Sequence, residues 1–146
     1  LPSRMNVEIK ARLSDRDALL RCLEPMAEKH TVLRQKDTFF RVAHGRLKLR
    51  RSTEADGHLP LQDMLDRSLG TLGTVCKERH LFLVGCTRVH VDAVQGLGDF
   101  LELEVVLREG QDPEEGRATA EALMAVLGVQ PDSLESGSYL DLLALH

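Results

Sequence analysis

The chain has 146 residues, of which 42% are hydrophobic, so it is long enough for one globular domain with a buried core. Its 19 Lys and Arg against 23 Asp and Glu give a formal net charge of −4, which argues against a general nucleic-acid binder. We expect neither a membrane-spanning segment nor a signal peptide, since no apolar run approaches the roughly 20 residues that a spanning helix needs. Three cysteines without metal-ligand spacing indicate a reduced, cytoplasmic protein.

The first four residues precede Met5 and are expected to be a remnant of expression, with Met5 as the native start. Residues 5–146 are then expected to form a single domain. This stretch shows neither a solenoid-type repeat nor a low-complexity segment, which supports that assignment.

Alternation of polar and aliphatic residues predicts that β-strands dominate the chain. The predicted strands cover residues 5–12, 31–42, 46–50, 74–84, 86–94 and 99–107. Ser14 and Asp15 supply capping side chains for a first helix, and Pro113 stands at the start of another. The predicted helices cover residues 15–29, 61–72, 113–127 and 139–145. A polar, turn-rich segment at residues 51–60 is predicted to be a loop between the strand at 46–50 and the helix at 61–72.

Several of these strands carry a charged or imidazole side chain at every second position, which places the row on one face of the strand. The side chains concerned are Glu8, Lys10, Arg46, Lys48, Arg50, Lys77, Arg79, Arg88, His90, Asp92, Glu102 and Glu104. Such a row on an antiparallel strand is usually a solvent-exposed face. The alternative is that the charged faces meet around a polyanion, because the aliphatic faces need burial and converging basic residues otherwise repel one another.

The residue types favour a phosphate site that also holds a divalent cation. Arg and Lys bind phosphate oxygens through charge-assisted hydrogen bonds. Glu8, Glu102 and Glu104 offer the carboxylate oxygens that Mg²⁺ or Mn²⁺ prefers, and these cations commonly bridge phosphates to one or two carboxylates. The hypothesis from the residues is a metal-assisted phosphate site lined by strands.

Five short motifs follow one another along almost the whole chain. They are Asn-Val-Glu-Ile-Lys-Ala at 6–11, Gly-Arg-Leu-Lys-Leu-Arg at 45–50, Thr-Arg-Val-His-Val-Asp at 87–92, Gly-Leu-Gly-Asp-Phe-Leu-Glu-Leu-Glu at 96–104 and Ser-Tyr-Leu-Asp-Leu-Leu at 138–143. Together they resemble the CYTH domain, the family of triphosphate tunnel metalloenzymes, and are most similar to its class IV adenylyl cyclase-like branch. Thiamine triphosphatases and inorganic triphosphatases are further members. The resemblance implies an α+β fold, in which an antiparallel β-barrel of about eight strands forms the triphosphate tunnel and helices pack on the outside.

The resemblance also assigns roles to the charged side chains. It implies a divalent cation held by Glu8, Glu102 and Glu104, with Asn6 as a weaker amide ligand where the family's signature has Glu. The implied phosphate contacts are Lys10, Arg46, Lys48, Arg50, Lys77, Arg79 and Arg88. The implied catalytic residues are Lys10, Arg88, His90 and Asp92, and the last two match the His-x-Asp of the cyclase-like branch.

The segment between Arg51 and Leu61 is shorter than the family pattern, which has a further strand there. We therefore expect either that one or two strands are missing from the middle of the tunnel or that the chain omits a stretch. Ser138 and Tyr139 are expected either to contact substrate at the tunnel mouth or to dock the terminal segment.

The implied function is that of an enzyme that depends on Mg²⁺ or Mn²⁺ and acts on a triphosphate: ATP, tripolyphosphate or thiamine triphosphate. The first expectation is the adenylyl cyclase reaction, from ATP to cyclic AMP and pyrophosphate. The alternatives are a triphosphatase acting on an inorganic, thiamine or nucleoside triphosphate, a non-catalytic polyphosphate- or nucleotide-binding module, and a structural domain with a vestigial tunnel. Nucleic acid and membrane are not expected as partners; the resemblance allows a homodimer, since the family often forms one, and the oligomeric state stays open.

Overall fold

The computed structural model describes residues 6–52 and 60–145, and within these ranges one antiparallel sheet of seven strands forms its centre. The strands are β1 (Asn6–Arg12), β2 (Lys29–Phe40), β3 (Leu47–Ser52), β4 (Thr71–Val84), β5 (Thr87–Val94), β6 (Gly98–Val106) and β7 (Leu134–Glu135). The helices are α1 (Arg16–Leu23), α2 (Pro60–Leu69), α3 (Pro113–Leu127) and α4 (Tyr139–Ala144), with a short 3₁₀ turn at Pro131–Ser133. None of the helices described is long and apolar enough to cross a bilayer. The expected expression remnant at 1–4, the expected start Met5 and most of the predicted loop, 53–59, lie outside the described residues.

The sheet runs in the order β3-β2-β4-β5-β6-β1-β7, with every neighbouring pair antiparallel. Its two edges approach each other through Arg46, which directly precedes β3. Arg46 Nη1 donates to Ser138 Oγ at 3.0 Å and Nη2 donates to Asp141 Oδ1 at 2.6 Å, at the start of α4. In the part of the chain described, no backbone ladder joins β3 to β7. The expected α+β fold is confirmed, and the seven-stranded sheet of the described residues is not closed into a barrel.

Helices α1 and α3 cover the outer, aliphatic face of the sheet. Their buried side chains, among them Leu23 and Met124, pack with Phe82, Val91 and Leu103 in the larger of two core clusters. Burial of such side chains is the main stabilising term of the fold, about 1.5–3 kcal/mol for each one. These helices therefore bury the aliphatic face of the sheet, as predicted from the position of the aliphatic residues opposite the charged ones.

Gly116 lets α3 lie close against the sheet. A Cβ at this position would stand 2.5 Å from Leu107 Cδ2 and 2.9 Å from Val7 Cγ2, closer than real Cβ contacts. The residue is buried in the helix interior, where glycine normally lowers helix stability. Close approach of the helix to β1 and β6 accounts for it here.

Helix α4 packs against the other end of the sheet. Tyr139 and Leu142 join Phe39, Val94 and Phe100 in a second core cluster. Ser138 caps the helix by accepting from the Asp141 backbone N–H, while the Asp141 carboxylate accepts from the Ser138 N–H. This reciprocal cap fixes the chain direction where α4 meets the strands.

The first helix is shorter than predicted, ending at Leu23 instead of residue 29. Pro25 explains the difference, because it has no backbone N–H to donate and its ring clashes with the preceding turn of a helix. The chain turns there and enters β2 at Lys29. Strand β3 continues through Ser52, two residues beyond the predicted strand, because Arg51 and Ser52 still pair with Lys36 and Gln35.

The boundaries around α2 also differ from the prediction. The helix ends at Leu69 instead of residue 72, because Gly70 has a positive φ of 80° and Thr71 already pairs with Phe40 at the start of β4, which was predicted to begin at residue 74. Strand β2 covers Lys29–Phe40 instead of 31–42.

Candidate active site

The charged faces of the strands line one cavity of about 420 Å³. Its basic lining residues come from β1, β3, β4 and β5, and they are Lys10, Lys48, Arg50, Lys77, Arg79 and Arg88. The acidic and other polar lining residues include Asp37, Glu102, Glu104, Gln35, His90 and Ser138. The alternating charges therefore meet around a common space, and the interpretation as separate solvent-exposed faces is wrong for these strands.

A larger depression of about 720 Å³ lies outside this site, between α1 and the C-terminal end of α3. Among its lining residues Arg12 is basic, and this side chain is bonded to Glu135 at 3.1 Å. The smaller cavity is therefore the better candidate, because it gathers the cations that a polyanion needs.

Strands β1 and β6 bring three carboxylates together beside the cavity, of which Glu102 and Glu104 line it and the exposed Glu8 does not. In their register Glu8 lies opposite Glu104, and Lys10 lies opposite Glu102. Burial, followed by the neighbouring charges of Glu102 and Glu104, raises the pKa of Glu8. A divalent cation would remove this repulsion, since hard cations such as Mg²⁺ prefer oxygen ligands of this type.

The three predicted carboxylate ligands fit a divalent cation by their chemistry. In the described structure two of them are engaged elsewhere: Glu104 Oε1 accepts from Asn6 Nδ2 at 2.9 Å, and Glu102 Oε2 lies 3.8 Å from Arg79 Nη2. Among the residues described, no three His, Cys, Asp or Glu side chains already form a metal-binding group. Asn6 thus acts here as a hydrogen-bond donor to Glu104, and its role as a weak ligand stays a prediction.

Asp37 organises two of the basic residues on the opposite side of the cavity. Arg50 donates to both of its carboxylate oxygens at 2.7 and 2.9 Å, and Lys77 Nζ donates to Oδ2 at 3.2 Å. Burial acts to raise the pKa of Asp37, but the Arg50 hydrogen bonds and the Lys77 charge outweigh it and lower the value to about 2. Asp37 therefore stays ionised and holds both cations towards the cavity.

The two lysines on this side are partly desolvated. Burial, followed by the charge of Arg79, lowers the pKa of Lys77 to about 8. Burial and Arg50 also lower the pKa of Lys48. Both effects favour loss of a proton, so a bound polyanion would stabilise the charged form of each lysine.

Arg79 and Asp92 are bonded to each other in the cavity wall. Arg79 lines the cavity, and its guanidinium donates two hydrogen bonds to the Asp92 carboxylate, which also accepts from the Tyr139 hydroxyl at 2.7 Å. Asp92 is fully buried beneath it. The structure therefore places Arg79 where phosphate could bind and places Asp92 behind it, as the residue that orients the arginine.

His90 lies on β5 between Leu81 and Glu102 in the register of the sheet, and it lines the cavity. Burial, followed by the charge of Arg79, lowers its pKa to about 3, so the imidazole is neutral at pH 7. Its Nδ1 atom is buried and has no hydrogen-bond partner among the described residues. Of the four predicted catalytic residues, His90, Lys10 and Arg88 line the cavity and Asp92 does not.

Arg46 is set apart from the other predicted phosphate contacts. It does not line the cavity and instead bonds Ser138 and Asp141 across the gap between the two sheet edges. Lys10 also contacts the segment at the start of α4. Its Nζ donates to the Gly137 carbonyl at 2.8 Å and lies 4.3 Å from the centre of the Tyr139 ring. Tyr139 therefore lines the cavity and anchors α4 at the same time.

Sequence reasoning missed Gln35 and Asp37, two cavity-lining residues of β2. They share one face of the strand with Leu33 and Phe39, since all four stand at every second position. Charged residues also occupy the opposite face there, as Arg34 and Lys36, so the alternation of polar with aliphatic residues is lost. Pairing of β2 with β3 and β4 would have been needed to select the correct face.

An antiparallel sheet with a cation-lined cavity is a structure suited to a compact polyanion between strands. Residues 53–139 match the CYTH domain, and the chain belongs to the CYTH family. The members of this family are divalent-cation-dependent enzymes that bind triphosphate substrates. The finding confirms the family that the five motifs indicated.

Solved structures of low sequence identity share the fold. A conserved hypothetical protein from Pyrococcus furiosus is 19% identical, with 94% of this chain and 99% of that chain covered and a TM-score of 0.74. A candidate adenylate cyclase from Vibrio parahaemolyticus is 20% identical, with coverage of 98% and 99% and a TM-score of 0.76. A candidate adenylyl cyclase from Hippeastrum, described as revealing a dominant triphosphatase activity, is 14% identical, with coverage of 98% and 96% and a TM-score of 0.64. No curated protein sequence matches this chain.

Proposed function

We propose that this protein hydrolyses the terminal phosphate of a triphosphate in the β-lined cavity, with Mg²⁺ or Mn²⁺ as cofactor. The observation that carries the proposal is the convergence of six basic residues and the Glu102–Glu104 pair on one cavity of about 420 Å³. A triphosphate carries several negative charges, and a desolvated array of cations binds it more strongly than scattered surface cations would. The same array stabilises charge that develops on the phosphoryl oxygens during transfer.

Three of the basic residues are fixed in position by carboxylates, and a fourth is available to bind a phosphate oxygen. Arg50 and Lys77 are held by Asp37, and Arg79 is held by Asp92, so their positions are set before substrate arrives. Preorganised donors of this kind need little rearrangement during the reaction, which is why they favour the transition state. Arg88 is half exposed and bonded less closely, with Nη1 3.9 Å from Glu104, so it remains available to a phosphate oxygen.

Glu8, Glu102 and Glu104 would hold the cation at the opposite wall. When bound there, it would polarise the attacked phosphorus and neutralise the phosphate oxygens. Glu104 now accepts from Asn6 and Glu102 lies 3.8 Å from Arg79, so both carboxylates would exchange these contacts for the cation, while Asp92 keeps Arg79 in place.

His90 is suited to orient the attacking water rather than to keep its proton. Its pKa of about 3 makes it a weak base, while its unpartnered Nδ1 is able to form one further hydrogen bond. The water oxygen forms a bond to the terminal phosphorus as the bond to the bridging oxygen breaks. The products are a diphosphate and phosphate, and the proton released passes to solvent.

ATP cyclisation is the second candidate reaction. It is favoured by the fold that this chain shares with a candidate adenylate cyclase and by the cavity-lining His90, which matches the His-x-Asp of the cyclase-like branch. In that reaction the ribose 3′-hydroxyl attacks the α-phosphate, and cyclic AMP and pyrophosphate leave. Either reaction would take place in the cytoplasm, with no partner beyond a second copy of this chain.

A product assay separates these reactions. The purified protein would be incubated with Mg²⁺ or Mn²⁺ and ATP, tripolyphosphate or thiamine triphosphate, and phosphate, pyrophosphate and cyclic AMP would be measured. Glu102→Gln and Lys48→Ala should each lower turnover at least about 100-fold, as removal of a transition-state contact does. Matched changes at exposed Glu109 and Lys36, to Gln and Ala respectively, should leave it unchanged.

Phosphate release that disappears in both cavity variants would establish the hydrolase, and cyclic AMP would establish the cyclase. Absence of any product would overturn the proposal. Tight triphosphate binding without turnover would then identify a binding module.

A further inference from the structure

Gln35 is a buried polar residue in the cavity wall whose amide oxygen is not satisfied. It lies on β2, is 8% exposed and lines the cavity. Its Oε1 atom is buried and has no hydrogen-bond partner in the described part of the chain. Buried amide oxygens are almost always paired, so an unpaired one at a binding cavity indicates a contact that the ligand supplies.

Gln35 lies between charged residues and an apolar residue on the cavity face of β2. Lys77 is its partner on β4, and Asp37 follows it on the same face of β2. On its other side the next inward residue is Leu33, which lies opposite Arg79 on β4. On β2 the inward polar residues therefore end at Gln35, and an apolar part of the wall begins there.

Leu33 and Leu81 form that apolar wall. They lie on the paired strands β2 and β4 at diagonal positions, since Leu33 is opposite Arg79 and Leu81 is opposite Thr31. Both are half-buried and line the cavity, yet neither belongs to a core cluster of the described residues. An apolar ligand group would bury this surface, and phosphate would not.

Phosphate oxygens cannot satisfy the Gln35 amide oxygen, because both groups accept hydrogen bonds. Lys77, its closest cationic neighbour in register, already donates to Asp37. A donor on an apolar body, such as the amino group, ring N–H or hydroxyl of a heterocyclic substituent, would pair with this oxygen and bury the neighbouring leucines at the same time.

We propose that Gln35 is a specificity-determining residue, which accepts a hydrogen bond from the organic part of an organic triphosphate while Leu33 and Leu81 contact its apolar face. This inference rests on the proposed function, because it takes the phosphate end of the ligand to lie among the cations. It distinguishes an organic triphosphate from tripolyphosphate, which has neither an apolar body nor a donor of this kind.

The test compares the dissociation constants of ATP, thiamine triphosphate and tripolyphosphate by calorimetry, with Ca²⁺ present to limit turnover. Gln35→Met keeps the length of the side chain and removes the amide. We expect it to weaken binding of at least one organic triphosphate about tenfold and to change tripolyphosphate binding less than twofold. Gln95→Met, at an exposed position, should change none of the three constants.

Equal weakening of all three ligands, or no weakening of any, would overturn the inference. If Gln35→Met does not fold, as judged by its melting transition, Gln35→Asn replaces it with the same selective loss expected. A selective loss without product formation in the turnover assay would support the role of Gln35 and overturn the proposed enzymatic function. Failure of the unaltered protein to bind any of the three ligands would overturn both.

Discussion

Arg79 donates Nε to Asp92 Oδ1 at 2.8 Å and Nη2 to Oδ2 at 2.7 Å, so the two side chains form a planar, bidentate pair within the cavity wall. Arg79 is 8% exposed and Asp92 is 0% exposed. Burial acts to raise the pKa of Asp92, but the hydrogen bond and charge of Arg79 lower it, so the carboxylate remains ionised. The pair presents a fixed cation to the cavity.

Removal of the negative partner should destabilise the fold strongly. Asp92→Asn would leave the Arg79 charge buried without compensation, and we expect a loss of about 3–5 kcal/mol in the free energy of unfolding. Tyr139→Phe removes one neutral donor to the same carboxylate and should cost about 1–2 kcal/mol. Urea unfolding followed by circular dichroism measures both. Asp132→Asn, at an exposed position, serves as the control, and a loss below 1 kcal/mol for Asp92→Asn would contradict the assigned role.

Triphosphate affinity should fall as the pH rises through about 8. The depressed pKa of Lys77 means that its ammonium loses its proton near this pH in the free protein, and the neutral amine no longer attracts phosphate. The charged form is therefore present below about pH 8 and is lost above it. Calorimetric titration with tripolyphosphate between pH 6.5 and 10 measures the effect.

Lys77→Arg should flatten this pH dependence, because arginine keeps its charge throughout the range. An unchanged profile in this variant would show that another group, and not Lys77, controls binding. Lys36→Arg, on the opposite face of β2, is the matched control and should behave as the unaltered protein does.

Cation affinity should depend on the carboxylates of β1 and β6. Glu102→Gln and Glu8→Gln each remove one negative charge from the proposed ligand set, and even loss of groups outside the ligand set typically costs 10–100-fold in affinity. We expect at least about a tenfold weaker Mn²⁺ affinity from either change, measured by the electron paramagnetic resonance signal of free Mn²⁺. Equal affinities in these variants and in Glu109→Gln would place the cation elsewhere.

Gly116→Ala should destabilise the protein although alanine favours helices. The helix propensity gained is about 1 kcal/mol, whereas the added methyl group would be forced against Leu107 and Val7. Overpacking of this kind typically costs about 1–3 kcal/mol, so we expect a lower melting temperature. Glu121→Ala, on an exposed part of α3, should have little effect. A rise in melting temperature for Gly116→Ala would show that α3 is free to shift outwards.

Much of this architecture could be predicted because single-strand periodicity carries it. The row Glu102–Glu104 and the row Lys77–Arg79 were found from alternation alone, and the structure places both on the cavity. Pairings between distant residues have no such local signal. Arg46 and Asp141 are 95 positions apart, and nothing in the sequence near either residue shows that one bonds the other. The hydrogen bonds between Arg79 and Asp92 also have no local signal, because they depend on the register of β4 and β5.

The contact of Arg46 with Asp141 determines how firmly the circumference of the cavity is fixed. Both side chains are about half exposed, at 47% and 49%, and exposed ion pairs contribute little stability and are screened by salt. A ladder of backbone hydrogen bonds would set the width of a closed barrel rigidly. Because an exposed arginine spans the gap between the two edges, side-chain contacts rather than a backbone ladder hold this part of the cavity wall in place.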